Sequence, residues 1–196
     1  MNNIGIFGIP STAIRVLTAP SGFFRGMPQR GGFMGPLVFM IVMGVFSGLL
    51  KAAISILEFK ILAGIGKVVV AFVFVPVTVS LLGFVAAAVL FVIWRLMGSK
   101  QSYQTSYRCV AYMSALMPVL VVVSGVPFWG GLVGIALVFF LIVIVSTEVH
   151  GISLARARFV FAVLALLLIV MYVNAEHDRK QLALQRIYQQ QGIPKD

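Results

Sequence analysis

The chain has 196 residues, of which 61% are hydrophobic and 10% charged, whereas about 25% of the residues in a typical soluble domain are charged. Its mean hydropathy of +1.07 excludes the soluble, disordered and fibrous classes and predicts an all-α integral membrane protein. The net charge of +10 comes from basic residues scattered between apolar blocks. This scatter predicts no nucleic-acid partner and favours contact with membrane lipids, including anionic headgroups.

Residues 1–32 predict a short amphipathic segment at the membrane interface. No convincing secretory signal is present, because the first apolar residues have no basic cap and prolines interrupt them. Apolar and aromatic side chains are then interleaved with Arg15, Arg25 and Arg30, a pattern typical of a segment that lies on the membrane with its aromatics inward. The segment is too short and too broken to cross.

Five apolar stretches predict a compact bundle of five membrane-spanning helices, each of which needs about 20 residues to cross the hydrocarbon core. Residues 109–147 carry no charge, but a single helix of this length would measure about 58 Å, roughly twice the core thickness. The turn signal Ser-Gly-Val-Pro at residues 124–127 therefore divides it. The predicted spans are residues 33–57, 68–94, 109–123, 128–147 and 159–175, followed by a polar helical tail at residues 176–196.

Basic residues favour a cytoplasmic N-terminus and a C-terminus on the opposite side, because cytoplasmic loops carry the excess of Lys and Arg. The N-terminal side has eight of them: Arg15, Arg25, Arg30, Arg95, Lys100, Arg108, Arg156 and Arg158. The other side has six once Lys51, inside a span, is set aside: Lys60, Lys67, Arg179, Lys180, Arg186 and Lys195. We expect the bacterial cytoplasmic (inner) membrane as the location.

Cys109, the two tryptophans and the polar residues 101–108 lie near the ends of the predicted spans, and no chemical activity is assigned to them. Cys109 is the only cysteine, so it forms no internal disulfide, and we expect it at the interface on the N-terminal side. Trp94 and Trp129 suit the aromatic belts of the bilayer. Residues 101–108 are rich in hydroxyl and amide groups and are interpreted as a solvated interfacial linker, with contact to headgroups or a partner as the alternative.

Several short motifs resemble the Yip-one domain family of Ypt/Rab-GTPase-interacting proteins, in a bacterial type. They are Gly-Phe-Met-Gly-Pro-Leu at residues 32–37, with Gly35 and Pro36; residues 107–112, with Arg108 and Tyr112; Pro118; the turn at residues 126–127 with Gly130 and Gly131; and residues 150–153. The resemblance implies five closely spaced helices, a cytosolic N-terminus and a short far-side C-terminus. It does not imply GTPase binding, because Gly32 stands near the place of an acidic residue in the eukaryotic motif.

Small residues four apart mark faces on which two helices approach closely, which matters in lipid because apolar contact alone does not drive association there. Three such pairs occur: Gly44 with Gly48, Gly130 with Gly134, and Ala111 with Ala115. The spacing fits either packing within one chain or a face used for a homo-oligomer.

Two charges and two prolines are candidates for a transport path. Lys51 and Glu58 are seven residues apart, so they share one helix face, and charges within spans often mark ion or substrate paths. Pro76 and Pro118 each free a backbone carbonyl inside a span. The alternatives are an interfacial lysine whose stem reaches the headgroups and structural bends at the prolines.

Glu148 and His150 lie together where the fourth span ends and are the only pair that suggests acid–base chemistry. His177 is the one other histidine, so no metal site is predicted, and no catalytic residue or cofactor site is assigned.

The sequence therefore predicts a non-catalytic membrane scaffold or binding protein that organises membrane components, as a homo-oligomer or with an unknown membrane protein partner. The alternative is a small-solute or ion transporter or channel with Lys51, Glu58, Pro76 and Pro118 near its path. A membrane enzyme that uses Glu148 and His150 is a third class.

Overall fold

The computed structural model describes residues 8–29, 31–57 and 61–191, and most of these residues are helical. They form eight α-helices and one 3₁₀ turn: α1 (Ile9–Thr18), α2 (Pro20–Arg25), α3 (Met34–Leu57), α4 (Ile61–Leu96), α5 (Tyr103–Met113), the 3₁₀ turn Ser114–Leu116, α6 (Met117–Val123), α7 (Trp129–Glu148) and α8 (Leu154–Gln191).

In the described residues, five helical segments are long and apolar enough to cross a membrane. They are Met34–Leu57, Ile65–Leu96, Tyr103–Val123, Trp129–Glu148 and Leu154–Ala183. The third combines α5, the 3₁₀ turn and α6. The prediction of an all-α membrane protein with five spans in a compact bundle is thus confirmed for the described part of the chain.

The third span starts at Tyr103, six residues before the predicted start, and the interpretation of residues 101–108 as a linker is wrong. Ser102 caps the helix by accepting a hydrogen bond from the backbone N–H of Thr105 at 3.3 Å. The polar residues that follow, Thr105 and Ser106, are buried rather than solvated. The span tightens into its 3₁₀ turn because Pro118 cannot donate a hydrogen bond to the carbonyl of Ser114 and its ring crowds that carbonyl.

Two helices are much longer than a bilayer requires. α4 has 36 residues and passes through Pro76 without ending, and α8 has 38 residues without a proline or glycine to stop it. The predicted fifth span and the described part of the predicted tail are consequently one continuous helix as far as Gln191.

The N-terminal segment is built into the bundle. Val16 and Phe24 are almost completely buried, and the ring of Phe23 meets the ring of Tyr112 edge-on at a centroid distance of 5.2 Å. Tyr112 in turn contacts Phe39 of α3 at 5.3 Å. The α1 and α2 helices therefore close one side of the core formed by α3, α5 and α7.

Cys109 and Trp94 are both buried inside the bundle. Trp94 therefore does not face the lipid as a residue of an aromatic belt would, and the Cys109 thiol is closed to reagents although it lies near the N-terminal end of its span. We predict that an impermeant maleimide leaves native Cys109 unlabelled in intact membranes and labels it after denaturation.

Topology is better measured in a Cys109→Ala, Ser153→Cys variant, because Ser153 is exposed between α7 and α8. Labelling of this variant only from the cytoplasmic side is expected, and labelling only from the opposite side would reverse our orientation.

Candidate functional site

Polar side chains gather at one end of the bundle, which we name the N-terminal face. α3, α5 and α8 begin at this end, whereas α4 and α7 finish there, because consecutive spans run in opposite directions. Backbone and side-chain contacts between the connecting segments hold this end together, and the N-terminal helix α2 covers the end of α7.

The first group of contacts, the His150 cluster, consists of Trp94, Ser99, Gln101, Ser146 and His150. His150 Nδ1 lies 2.8 Å from Ser99 Oγ, and its ring stacks on Trp94 with centroids 3.9 Å apart. The indole N–H of Trp94 donates to Ser146 Oγ at 2.8 Å. The side-chain amide of Gln101 donates to the carbonyl of Val149 at 3.0 Å. The cluster fastens the connection between α4 and α5 to the connection between α7 and α8.

Burial lowers the pKa of His150 to about 4, so its imidazole is neutral at pH 7. Its Nε2 is buried and has no hydrogen-bond partner among the described residues. A neutral ring that stacks on tryptophan and bonds to Ser99 is typical of a structural role, in which it holds the two connections together. Gly98, with φ +98°, and Gly151, with φ +65°, allow the two connections to turn at this point.

Glu148 and His150 take part in separate interactions. Glu148 accepts two hydrogen bonds from Arg25, Nε to Oε2 at 2.8 Å and Nη2 to Oε1 at 3.1 Å. This bidentate pair raises the pKa of Arg25 and ties α2 to the last residue of α7. The predicted acid–base pair is therefore divided between an ion pair and the His150 cluster.

Arg108 lies on α5 under the loop that joins α2 to α3. Its side chain is 7% exposed, and its Nη1 makes a long hydrogen bond of 3.4 Å to the carbonyl of Gly32. Its Nε is buried without a partner among the described residues. Gln104 donates to the carbonyl of Gly31, and Thr105 donates to the carbonyl of Gln29 at 3.1 Å. We name this group the Arg108 pocket.

The small-residue pairs lie at contacts within this chain. A Cβ on Gly48 would stand 2.7 Å from the Cβ of Ala71, and one on Gly44 would stand 2.9 Å from Val75, so both glycines face α4. Gly134 faces Leu120 of α6. Gly130 packs against the backbone at the end of α6, where no side chain fits.

The predicted motif at the start of α3 is divided between two environments. Gly35 is exposed, with open space where a Cβ would be, whereas Pro36 is buried in the first turn. Proline fits there because the first helical residues have no partner for their N–H groups.

The candidates for a transport path are not brought to one place. Pro118 lines an apolar groove of about 540 Å³ with α1 and with Val42, Met43 and Phe46 of α3. Val75, next to Pro76, packs against the Gly44 and Gly48 side of α3, which is the opposite helix face. Lys51 is exposed on α3, and Glu58 lies outside the described residues.

Ser99, Gln101 and Ser146 are site residues that the sequence reasoning missed. The available signal was weak: Ser146 is a polar residue near the end of an otherwise apolar helix, and Ser99 and Gln101 flank a lysine in a loop. Their partners come from distant parts of the chain. In the part of the chain that the structure describes, no three His, Cys, Asp or Glu residues form a group that could hold a metal ion.

Comparison with known proteins confirms the family resemblance. A family model described as the Yip1 domain matches residues 14–174, which is more than four fifths of the chain. The match runs from α1 through all five spans to the membrane part of α8. No curated protein and no solved structure matches the chain. The chain belongs to the Yip1 domain family and is a multi-pass membrane protein.

Proposed function

We propose that this protein is a non-catalytic scaffold or binding protein that organises membrane components, acting as a homo-oligomer or with a membrane protein partner. Its membership of the Yip1 domain family and its five spans provide the framework. The two residues best suited to acid–base chemistry support a role without catalysis, because each has a structural partner. Glu148 is paired with Arg25, and His150 is paired with Ser99.

The observation that carries the proposal is the continuous helix α8. Its 38 residues make a rod of about 57 Å, roughly twice the hydrocarbon core. Residues 176–191 are polar and add about 24 Å beyond the membrane part. Arg179 pairs with Glu176 at 2.9 Å one turn away, on this extension. A rigid polar helix held upright by a membrane span is suited to bind a second protein chain.

The same proposal includes the location and the lipid partners. We place the protein in a bacterial cytoplasmic membrane with its N-terminal face toward the cytoplasm, where anionic lipid headgroups meet it. The basic residues of this face support the contact, since anionic leaflets attract basic residues near the membrane surface.

The proposal is tested by removing the extension of α8. A variant that ends at Ala175 keeps the five spans, so we expect it to insert and fold but to lose the crosslinked species that the full chain gives in cells. A matched control that ends at Gln191 should keep them. Crosslinking with mass spectrometry identifies the partners, and light scattering in mild detergent measures the oligomeric state.

Two outcomes would contradict the scaffold proposal. One is a full chain that is strictly monomeric in mild detergent and gives no crosslinked partner. The other is solute or ion flux across proteoliposomes that Lys51→Ala changes, which is the result that a transporter gives.

A further inference from the structure

We propose that the Arg108 pocket binds a phosphate group, supplied by the headgroup of an anionic phospholipid or by free phosphate. The phosphate site is a more specific form of the contact with anionic headgroups that is proposed above. It rests on the proposed function in one respect, namely which leaflet of the membrane the N-terminal face meets. It assigns the contact to one buried guanidinium rather than to the general charge of the surface.

The charge balance of the N-terminal face leaves its described cations other than Arg25 without a carboxylate. The described residues of this face include one acid, Glu148, and Arg25 holds both of its oxygens. The other described cations are Arg15, Arg95, Lys100, Arg108, Arg156 and Arg158. Three of them donate hydrogen bonds to backbone carbonyls: Arg95 to Ser99, Arg156 to Met97 and Arg108 to Gly32. The field of the whole face is therefore strongly positive and favours an anion.

Arg108 differs from these cations in being more than nine-tenths buried. A buried guanidinium is unfavourable unless an opposite charge and hydrogen-bond acceptors compensate for the water that it loses. Among the described residues, its one acceptor is the Gly32 carbonyl at 3.4 Å, which is neutral and distant, and its Nε has no partner. The pocket thus holds a cation and an unused donor without the anion that would satisfy them.

The geometry favours phosphate among the anions. Arg108 lies in the second turn of α5, about 7.5 Å along the helix from Tyr103, and therefore near the boundary between headgroups and hydrocarbon. A guanidinium presents two parallel N–H groups along one edge, and these match two oxygens of a phosphate. The phosphate lies on the edge formed by Nε and Nη2, the same edge that Arg25 presents to Glu148, and the long contact of Nη1 with Gly32 remains.

The loop over the pocket is built to lie close to this side chain. Gly31 has φ +142°, and a Cβ there would stand 2.8 Å from Arg108 Nη1. Gln104 donates to the carbonyl of Gly31 and Thr105 donates to the carbonyl of Gln29, and these hydrogen bonds hold the loop against α5. A glycine at this point lets the backbone approach the guanidinium without filling the pocket.

The test compares Arg108→Gln with Arg158→Gln in the purified full chain. Both variants remove one positive charge from the same face, but Arg158 is exposed at the start of α8. Native mass spectrometry of delipidated protein titrated with phosphatidylglycerol, or with phosphatidylcholine for comparison, measures lipid retention. We expect Arg108→Gln to weaken phosphatidylglycerol retention about tenfold and Arg158→Gln to leave it within about twofold.

A second arm separates the two sources of phosphate. If inorganic phosphate raises the Tm of the wild type but not of Arg108→Gln, and phosphatidylglycerol shows no selective retention, the pocket takes free phosphate. If the wild type selectively retains phosphatidylglycerol, the phosphate group that the Arg108 pocket binds belongs to a lipid headgroup. The phosphate-binding proposal is overturned if neither effect is observed, or if Arg108→Gln and Arg158→Gln lose phosphatidylglycerol retention equally. Both results leave the scaffold proposal standing, because crosslinking tests it separately.

If Arg108→Gln fails to fold, as judged by circular dichroism and gel filtration, Arg108→Lys carries the test. It keeps a cation in place but lacks the paired N–H groups, so we expect severalfold weaker phosphatidylglycerol retention. Retention equal to that of the wild type would overturn the assignment to the guanidinium edge.

Discussion

Replacing Gly48 with leucine should separate α3 from α4 and destabilise the protein by about 3 kcal/mol. The reason is the close helix contact: a Cβ at this position would lie 2.7 Å from the Cβ of Ala71 and 3.3 Å from its Cα, which belongs to the backbone. A flexible neighbour could move aside, but the backbone of α4 must shift as a whole. In thermal unfolding followed by circular dichroism in detergent, we expect the Tm to fall by about 10 °C.

Gly35→Leu is the matched control for this substitution. It makes the same change on the same helix at a position where nothing lies within 4 Å of the added Cβ. Its Tm should stay close to that of the wild type. Equal Tm values for Gly48→Leu and the wild type would show that α3 and α4 do not approach each other as closely as described.

Acidification should destabilise the protein through His150. Because burial lowers its folded-state pKa to about 4 from 6.5, the unfolded chain binds the proton first as the pH falls. The contribution of the neutral ring is fully present above pH 6.5 and is lost progressively between pH 6.5 and pH 4. Its full size is about 3 kcal/mol, and we expect His150→Gln to flatten the dependence of Tm on pH in this window.

His177→Gln provides the control for the pH experiment. His177 is exposed on the polar part of α8, so this variant also lacks one histidine but leaves the His150 cluster intact. Titration of the carboxyl groups is common to both variants and cancels in the comparison. Equal pH slopes for His150→Gln and His177→Gln would contradict the burial of a neutral His150.

The candidate site was only partly predictable from sequence. Arg108, Glu148 and His150 were identifiable because ionisable residues are rare in so apolar a chain. Their partners were not, since Ser99 is 51 residues from His150 and Arg25 is 123 residues from Glu148. Pairing Glu148 with His150 by their closeness in sequence gave the wrong chemistry, because residues two apart at a helix end do not face each other.

The lipid solvent, the helical class and the number of spans follow from the amino-acid sequence alone. Each of these depends on local properties, namely the length and hydropathy of a stretch and the requirement that every backbone polar group in lipid be satisfied within its own helix. The family also followed from local motifs at the turns and helix ends.

The face of each span that turns inward, in contrast, follows from how the helices pack together. α4 and α7 are apolar all round, so no periodic pattern of hydrophobic residues marks the side that packs. Trp94 was assigned to the aromatic belt by residue type, and Cys109 to the interface because a predicted span begins there, yet both side chains are buried by neighbours from other spans. In lipid the inward face is chosen by close fit and a few hydrogen bonds between helices, and these contacts exist only when the helices are assembled.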